Sequence, residues 1–186
     1  MSILDIRVLG DPVLRKPTTA VIEVTDDLRK LIASMFETMY AAEGIGLAAP
    51  QVGRNERVAV VDVEGSKFTL INPRIISTQG IRKEKAEEGC LSIPDIYGDV
   101  ERQFTVTIRA IDENGTEYEA TGSDLLGRCF QHEIDHLDGK LFIDYLSPLK
   151  RKAALATWEK TKANYPGYVR RVRTEVKGEH HRETEM

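Results

Sequence analysis

Residues 123–139, SDLLGRCFQHEIDHLDG, constrain the fold of this chain more than any other stretch. Leu125, Leu126, Phe130, Ile134 and Leu137 recur with helical spacing and make one apolar face. Ser123 stands where an N-cap belongs, and Gly139 stands where such a helix stops. The same helix carries H-E-x-x-H, which puts His132 and His136 one turn apart on one face and leaves Glu133 between them free for proton transfer. A helix of this kind has to be buried along its apolar face while another part of the chain comes to its histidines. The fold is therefore expected to be built around it.

Two imidazoles do not complete a catalytic metal centre, which takes three protein ligands and leaves a further position open. The chain has four histidines, and the other two, His180 and His181, fall in a polar tail. The longer pattern H-E-x-x-H-x-x-G-x-x-H is matched as far as Gly139 and fails at Phe142. Cys129 precedes the two histidines on their own helix face, but a seven-residue separation spans about 10 Å along the axis, too far for three short side chains to converge. It reads as a pocket or core residue. Two donors remain on residues alone. Glu159, beyond the motif helix, would make an H-E-x-x-H endopeptidase. Cys90, in EEGCLSIP after Gly89, has a thiolate that can reach the helix from a separate strand or loop. A third reading, a purely structural metal in a module that binds peptide N-termini, would need four protein ligands.

The remaining elements indicate an α+β fold with largely antiparallel sheets packed around the metal-binding helix, closed by a C-terminal helix. Leu28, Leu31, Ile32, Met35, Phe36 and Met39 define an amphipathic helix from Asp26 to near Gly44. RVAVVDV (57–63) and KFTLINPRIIS (67–77), split at Gly65, read as strands, and 104–111 and 116–121, joined through Asn114 and Gly115, as a hairpin. Asp11 and Pro12 open a short helical turn, and Ser147 and Pro148 start the last helix. Length favours a single catalytic domain, 1–165, followed by a charged and mobile tail, 166–186. With 26 basic and 30 acidic residues the net charge is -4, which gives no basic field for nucleic acid. No apolar run approaches the roughly 20 residues of a membrane span, and the start lacks a signal-peptide pattern, so the expected location is cytoplasmic. Two cysteines are too few for a disulfide scaffold. Nothing in the sequence sets an oligomeric state.

Three stretches in series, GIGLAAPQVG (44–53), EGCLSIP (88–94) and QHEIDHLDG (131–139), resemble the three motifs of peptide deformylases, and the similarity runs from LGDPVLRKP to DYLSPLK. The resemblance implies that Cys90, His132 and His136 hold one divalent metal, Fe2+, with Zn2+, Ni2+ or Co2+ able to replace it. It implies hydrolytic removal of the formyl group from N-formylmethionyl nascent polypeptides, with formate released, and leaves docking to the ribosome open. Glu133 is then the general base, and the Gln51 side-chain amide with the backbone N–H of Leu91 would stabilise the oxyanion. Gly44, Ile45 and Gly46 would pair with the peptide in β fashion. Ile45, Leu125, Cys129 and the aliphatic part of Glu88 are candidates for the methionine slot, with Glu88 alternatively an acceptor behind the site. Gln131 and Asp135, flanking the histidines, stay open between orienting a ligand ring and facing water, and Tyr97, at the edge of the site, has no assigned role.

Overall fold

The computed structural model describes residues 2–173. Its elements, in chain order, are β1 (Ile6–Arg7), α1 (Asp26–Ala41), β2 (Gly46–Ala48), β3 (Val58–Val63), β4 (Ser66–Thr78), β5 (Lys83–Cys90), β6 (Ile93–Gln103), β7 (Thr105–Ile111), β8 (Glu117–Ser123), α2 (Asp124–Leu137), α3 (Pro148–Thr161) and β9 (Val169–Arg170), with short 3-10 turns between them. Three antiparallel sheets result: a five-stranded one in the order β2-β3-β4-β7-β8, a long β5-β6 ribbon, and the small β1-β9 pair. The expected α+β architecture is what forms.

Strand β3 explains how the two main helices are arranged. Its VAVVDV sequence is apolar on both faces, and side chains alternate from one face to the other along a strand. Ala59, Val61 and Val63 join the core under α2, with Leu70, Val106, Ile108, Phe130, Ile134 and Leu137. Val58 and Val60 join a second core under α1, with Leu31, Met35, Phe36 and Met39. The sheet is thus held between α1 and α2. Phe130 is fully buried and meets Phe68 edge-on at 5.2 Å between ring centroids. Burying a side chain of this size stabilises the fold by about 1.5–3 kcal/mol.

The backbone of α2 lies close on β8. A Cβ placed at Gly127 would come within 2.6 Å of the Gly122 carbonyl oxygen, so glycine at this crossing sets the depth of the helix. At the other end Gly139 adopts φ +74°, the left-handed conformation that follows a helix terminus. Ser123 occupies the N-cap position but does not cap: its hydroxyl pairs with that of Thr105 across the β7-β8 ladder at 2.7 Å. The sheet partner competes successfully for the group that the sequence offers to the helix.

The other side of α2 is covered by the β5-β6 ribbon, whose apolar residues Ile93, Ile96 and Val100 form a third core with Leu141, Phe142, Ile143, Leu146 and Trp158. Phe142, the residue that excludes a third histidine, is a wholly buried member of it. Residues 166–170, placed in the tail by composition, are ordered: the chain turns back after α3, and Ile6 pairs with Arg170 and Arg7 with Val169. His180 and His181 lie outside the described residues. Among the described residues no helix is long and apolar enough to cross a membrane.

Candidate active site

The register of the β5-β6 ribbon shifts between Glu88 and Cys90, just as the strand reaches α2. A slip of this kind re-aims a side chain. Here it directs Cys90 to the helix, and Gly89 permits it: a Cβ there would stand 2.7 Å from the Tyr97 ring. The Cys90 Sγ lies 3.3 Å from His136 Nε2, which is 3.2 Å from His132 Nε2. The three donor atoms all lie within 4.8 Å of one another. A thiolate and two imidazole nitrogens converging from a strand and a helix fit a mononuclear metal site with its next position open.

Behind the ligands is a buried charge network. Glu88 accepts hydrogen bonds from Arg102 Nε (2.8 Å) and Nη2 (3.0 Å), from Arg128 Nη1 (3.0 Å) and from His132 Nδ1 (3.0 Å). Burial alone would raise the Glu88 carboxyl, but the bonds from His132 and Arg102 outweigh it and hold it well below the usual carboxylate range. An ionised Glu88 can only accept, so the network assigns the His132 proton to Nδ1 and leaves the Nε2 lone pair facing Cys90 and His136. Burial likewise opposes a charged His136 and keeps it well below the ordinary histidine value. At His132 burial works in the same direction, but the Cys90 and Glu88 acceptors prevail and raise it; a metal would displace that extra proton. Arg102 also donates to Asp135 Oδ2 (2.5 Å) and lies over the Tyr145 ring, which ties the network to the helix a second time.

Glu133 faces the cavity from the same helix. It is 3% exposed, and Oε2 has no hydrogen-bond partner among the described residues. Burial pushes its carboxyl up to about 7, only partly opposed by His132. Gly46 gives it room: a Cβ there would collide with the Glu133 carboxylate and sit 3.0 Å from Cys129 Sγ. An acid-base group with one oxygen unpaired beside three metal donors is equipped to move a proton during hydrolysis.

A cavity of about 510 Å³ opens over these groups. Gly44, Ile45, Gly46, Gln51, Glu88, Leu91, Leu125 and Cys129 all line it, together with Cys90, His132 and Glu133. The Gln51 amide nitrogen lies 3.6 Å from Cys90 Sγ and 3.1 Å from Ser92 Oγ, while its Oε1 accepts from the Ala48 amide at 2.8 Å. Cys129 is buried, with Sγ 3.6 Å from the Ile45 carbonyl. Both Glu88 oxygens are taken by the network, so its carboxylate stands behind the ligands and only its stem can face a ligand in the cavity. Gln131 is bound to the backbone of Gln103 and Gly127. Tyr97, mostly exposed, borders the cavity mouth.

Glu159 is not part of this site. It projects from α3 into solvent, 63% exposed, and pairs with Lys162 at 2.6 Å. The endopeptidase reading fails with it, because Cys90 holds the third position. No role is legible in the sequence for Arg102, which comes from β6 outside every motif, or for Arg128 and Ser92, which lie on the motif helix and in the cysteine motif but whose partners appear only once the chain is folded.

Residues 3–152 match the model of the family described as Polypeptide deformylase. The peptide deformylase of Alkalilimnicola ehrlichii is 52% identical over 164 residues, covering 86% of this chain and 91% of its own. The crystal structure of a peptide deformylase from Legionella pneumophila superposes with a TM-score of 0.83 at 45% identity, covering 88% of this chain and 97% of that one. That of Synechococcus elongatus, in complex with actinonin, gives 0.80 at 46%, covering 84% and 88%. A thiolate, two imidazoles and a buried carboxylate on an α+β frame define a metal-dependent hydrolase. The chain belongs to the peptide deformylase family, and peptide deformylation is its activity.

Proposed function

We propose that the chain removes the formyl group from the initiator methionine of nascent polypeptides in the cytoplasm, with Fe2+ held by Cys90, His132 and His136. Zn2+, Ni2+ or Co2+ would fit the same donors. The metal, when bound, supplies the Lewis acidity that makes water nucleophilic near neutral pH. Glu133 takes the proton of the attacking water and delivers it to the methionine nitrogen as the C–N bond breaks, so that formate and a free amine leave. The observation that carries this reading is the unpaired, buried Glu133 oxygen next to the three converging donors.

The other residues position and stabilise. The Gln51 amide nitrogen and the Leu91 N–H flank Cys90 and serve the negative charge that develops on the formyl oxygen. Gly44, Ile45 and Gly46 offer main-chain groups to the peptide, which suits a substrate whose sequence after methionine varies. Leu125, Ile45, Cys129 and the stem of Glu88 border the space for the methionine side chain. Protein purified without oxygen is expected to contain iron in metal analysis and to lose activity in air, because Fe2+ and a thiolate ligand are both oxidisable. Zinc alone in the anaerobic, active protein would contradict the iron assignment.

A further inference from the structure

We propose that Arg170, on the C-terminal strand β9, is a positioning residue for the oxyanion-binding turn at residues 90–92. The inference rests on the reading of the Leu91 N–H as an oxyanion donor. Arg170 lies outside the part of the chain that matches the family model, residues 3–152, so family membership assigns it nothing. Yet it reaches the active-site cavity. Its Nη1 donates to the Leu91 carbonyl oxygen at 3.1 Å, and its side chain is half-buried in the cavity wall. Among the described residues no carboxylate pairs with it.

The turn it holds is anchored at three points. Arg170 binds the Leu91 carbonyl, the Leu9 N–H binds the Ser92 carbonyl at 2.9 Å, and Gln51 binds the Ser92 hydroxyl at 3.1 Å. Two of these anchors depend on the β1-β9 pair, because the Val8 N–H, next to Leu9, is itself bonded to the Tyr168 carbonyl at 3.0 Å. On its other side the Leu91 side chain lies against Gly44, where a Cβ would be only 2.7 Å from Leu91 Cδ1. Releasing the carbonyl therefore lets the residue that supplies the N–H shift, and with it the lip that receives the peptide. A guanidinium suits the task, since a rigid planar fork loses less freedom per hydrogen bond than an ammonium on a flexible stem. Oxyanion donors act through fixed placement, and small displacements are expensive in rate.

The test uses the full-length, metal-loaded protein and the variants Arg170→Met and Arg170→Lys. Arg170→Met is expected to lower kcat for formate release about tenfold, with KM within about twofold and metal content unchanged, and Arg170→Lys to recover part of the loss. Hydrogen exchange at residues 90–93 should quicken in Arg170→Met while β7 and β8 stay protected. An unchanged kcat, or a raised KM alone, would overturn the proposal; the latter would make Arg170 a substrate contact. Unchanged exchange at 90–93 would overturn it whatever the activity. If the unaltered protein released no formate, the functional reading would fail separately, and the exchange measurement would still decide the role of Arg170.

Discussion

Replacing Glu133 with alanine is expected to lower kcat for formate release by about 10²- to 10⁴-fold while the metal stays bound. The three donors come from Cys90, His132 and His136, and none of their hydrogen bonds runs through Glu133. The substitution therefore leaves the site assembled and removes only the group proposed to move the proton. KM should change little, because the proposed role of Glu133 is on the reacting atoms and that of the 44–46 lip is to hold the peptide. Stability should not fall in parallel. Glu133 is a buried carboxylate without a hydrogen bond at Oε2, so its burial costs free energy in the native state that alanine does not incur. Steady-state kinetics with metal analysis on the same sample would check this; near-normal kcat with full metal would remove Glu133 from the chemistry.

Cys90→Ala is expected to abolish metal binding at neutral pH and with it the activity. Two histidines one turn apart on a single helix leave the ligand set incomplete, and Cys90 is the donor of the three that comes from the β5-β6 ribbon. The fold should persist, because Cys90 is half-buried at the strand end and the three cores do not depend on it alone. Glu159→Ala serves as the counterpart and should leave metal and activity as they are, since that carboxylate is in solvent with Lys162. Metal retained in Cys90→Ala would contradict the ligand assignment.

The two variants also mark what a sequence can disclose here. Helix α2 was legible because a 3.6-residue apolar period and the H-E-x-x-H spacing coincide in one segment, and β3 and β4 because they are dense in β-branched residues. The β5-β6 ribbon was not. Its β5 strand, KEKAEEGC, alternates lysine and glutamate with little apolar content, and it forms because β6 and α2 lie against it. Strand β9 is two residues long and exists through its pairing with β1. Local propensity carries no signal for either.

The site divides in the same way. The histidines announce themselves by spacing, and Cys90 follows from the scarcity of other donors together with the motif resemblance. Arg102 and Arg128 could not be found so, because a buried arginine at a carboxylate leaves no pattern until the strands are placed. The sequence leaves Glu88 two roles, and the hydrogen bonds from Arg102, Arg128 and His132 put its carboxylate behind the ligands. Ser92 shows why Gln51 is oriented: the amide is held between the Ser92 hydroxyl and the Cys90 sulfur.

The measurement that bears most directly on this account compares two peptides that differ only in the group on the methionine nitrogen, formyl or acetyl, incubated with the anaerobically prepared protein. Formate and free amine are expected in equal amounts from the formyl peptide, with slow or no reaction of the acetyl peptide and no cleavage of internal bonds in either. Internal cleavage without formate would contradict this account.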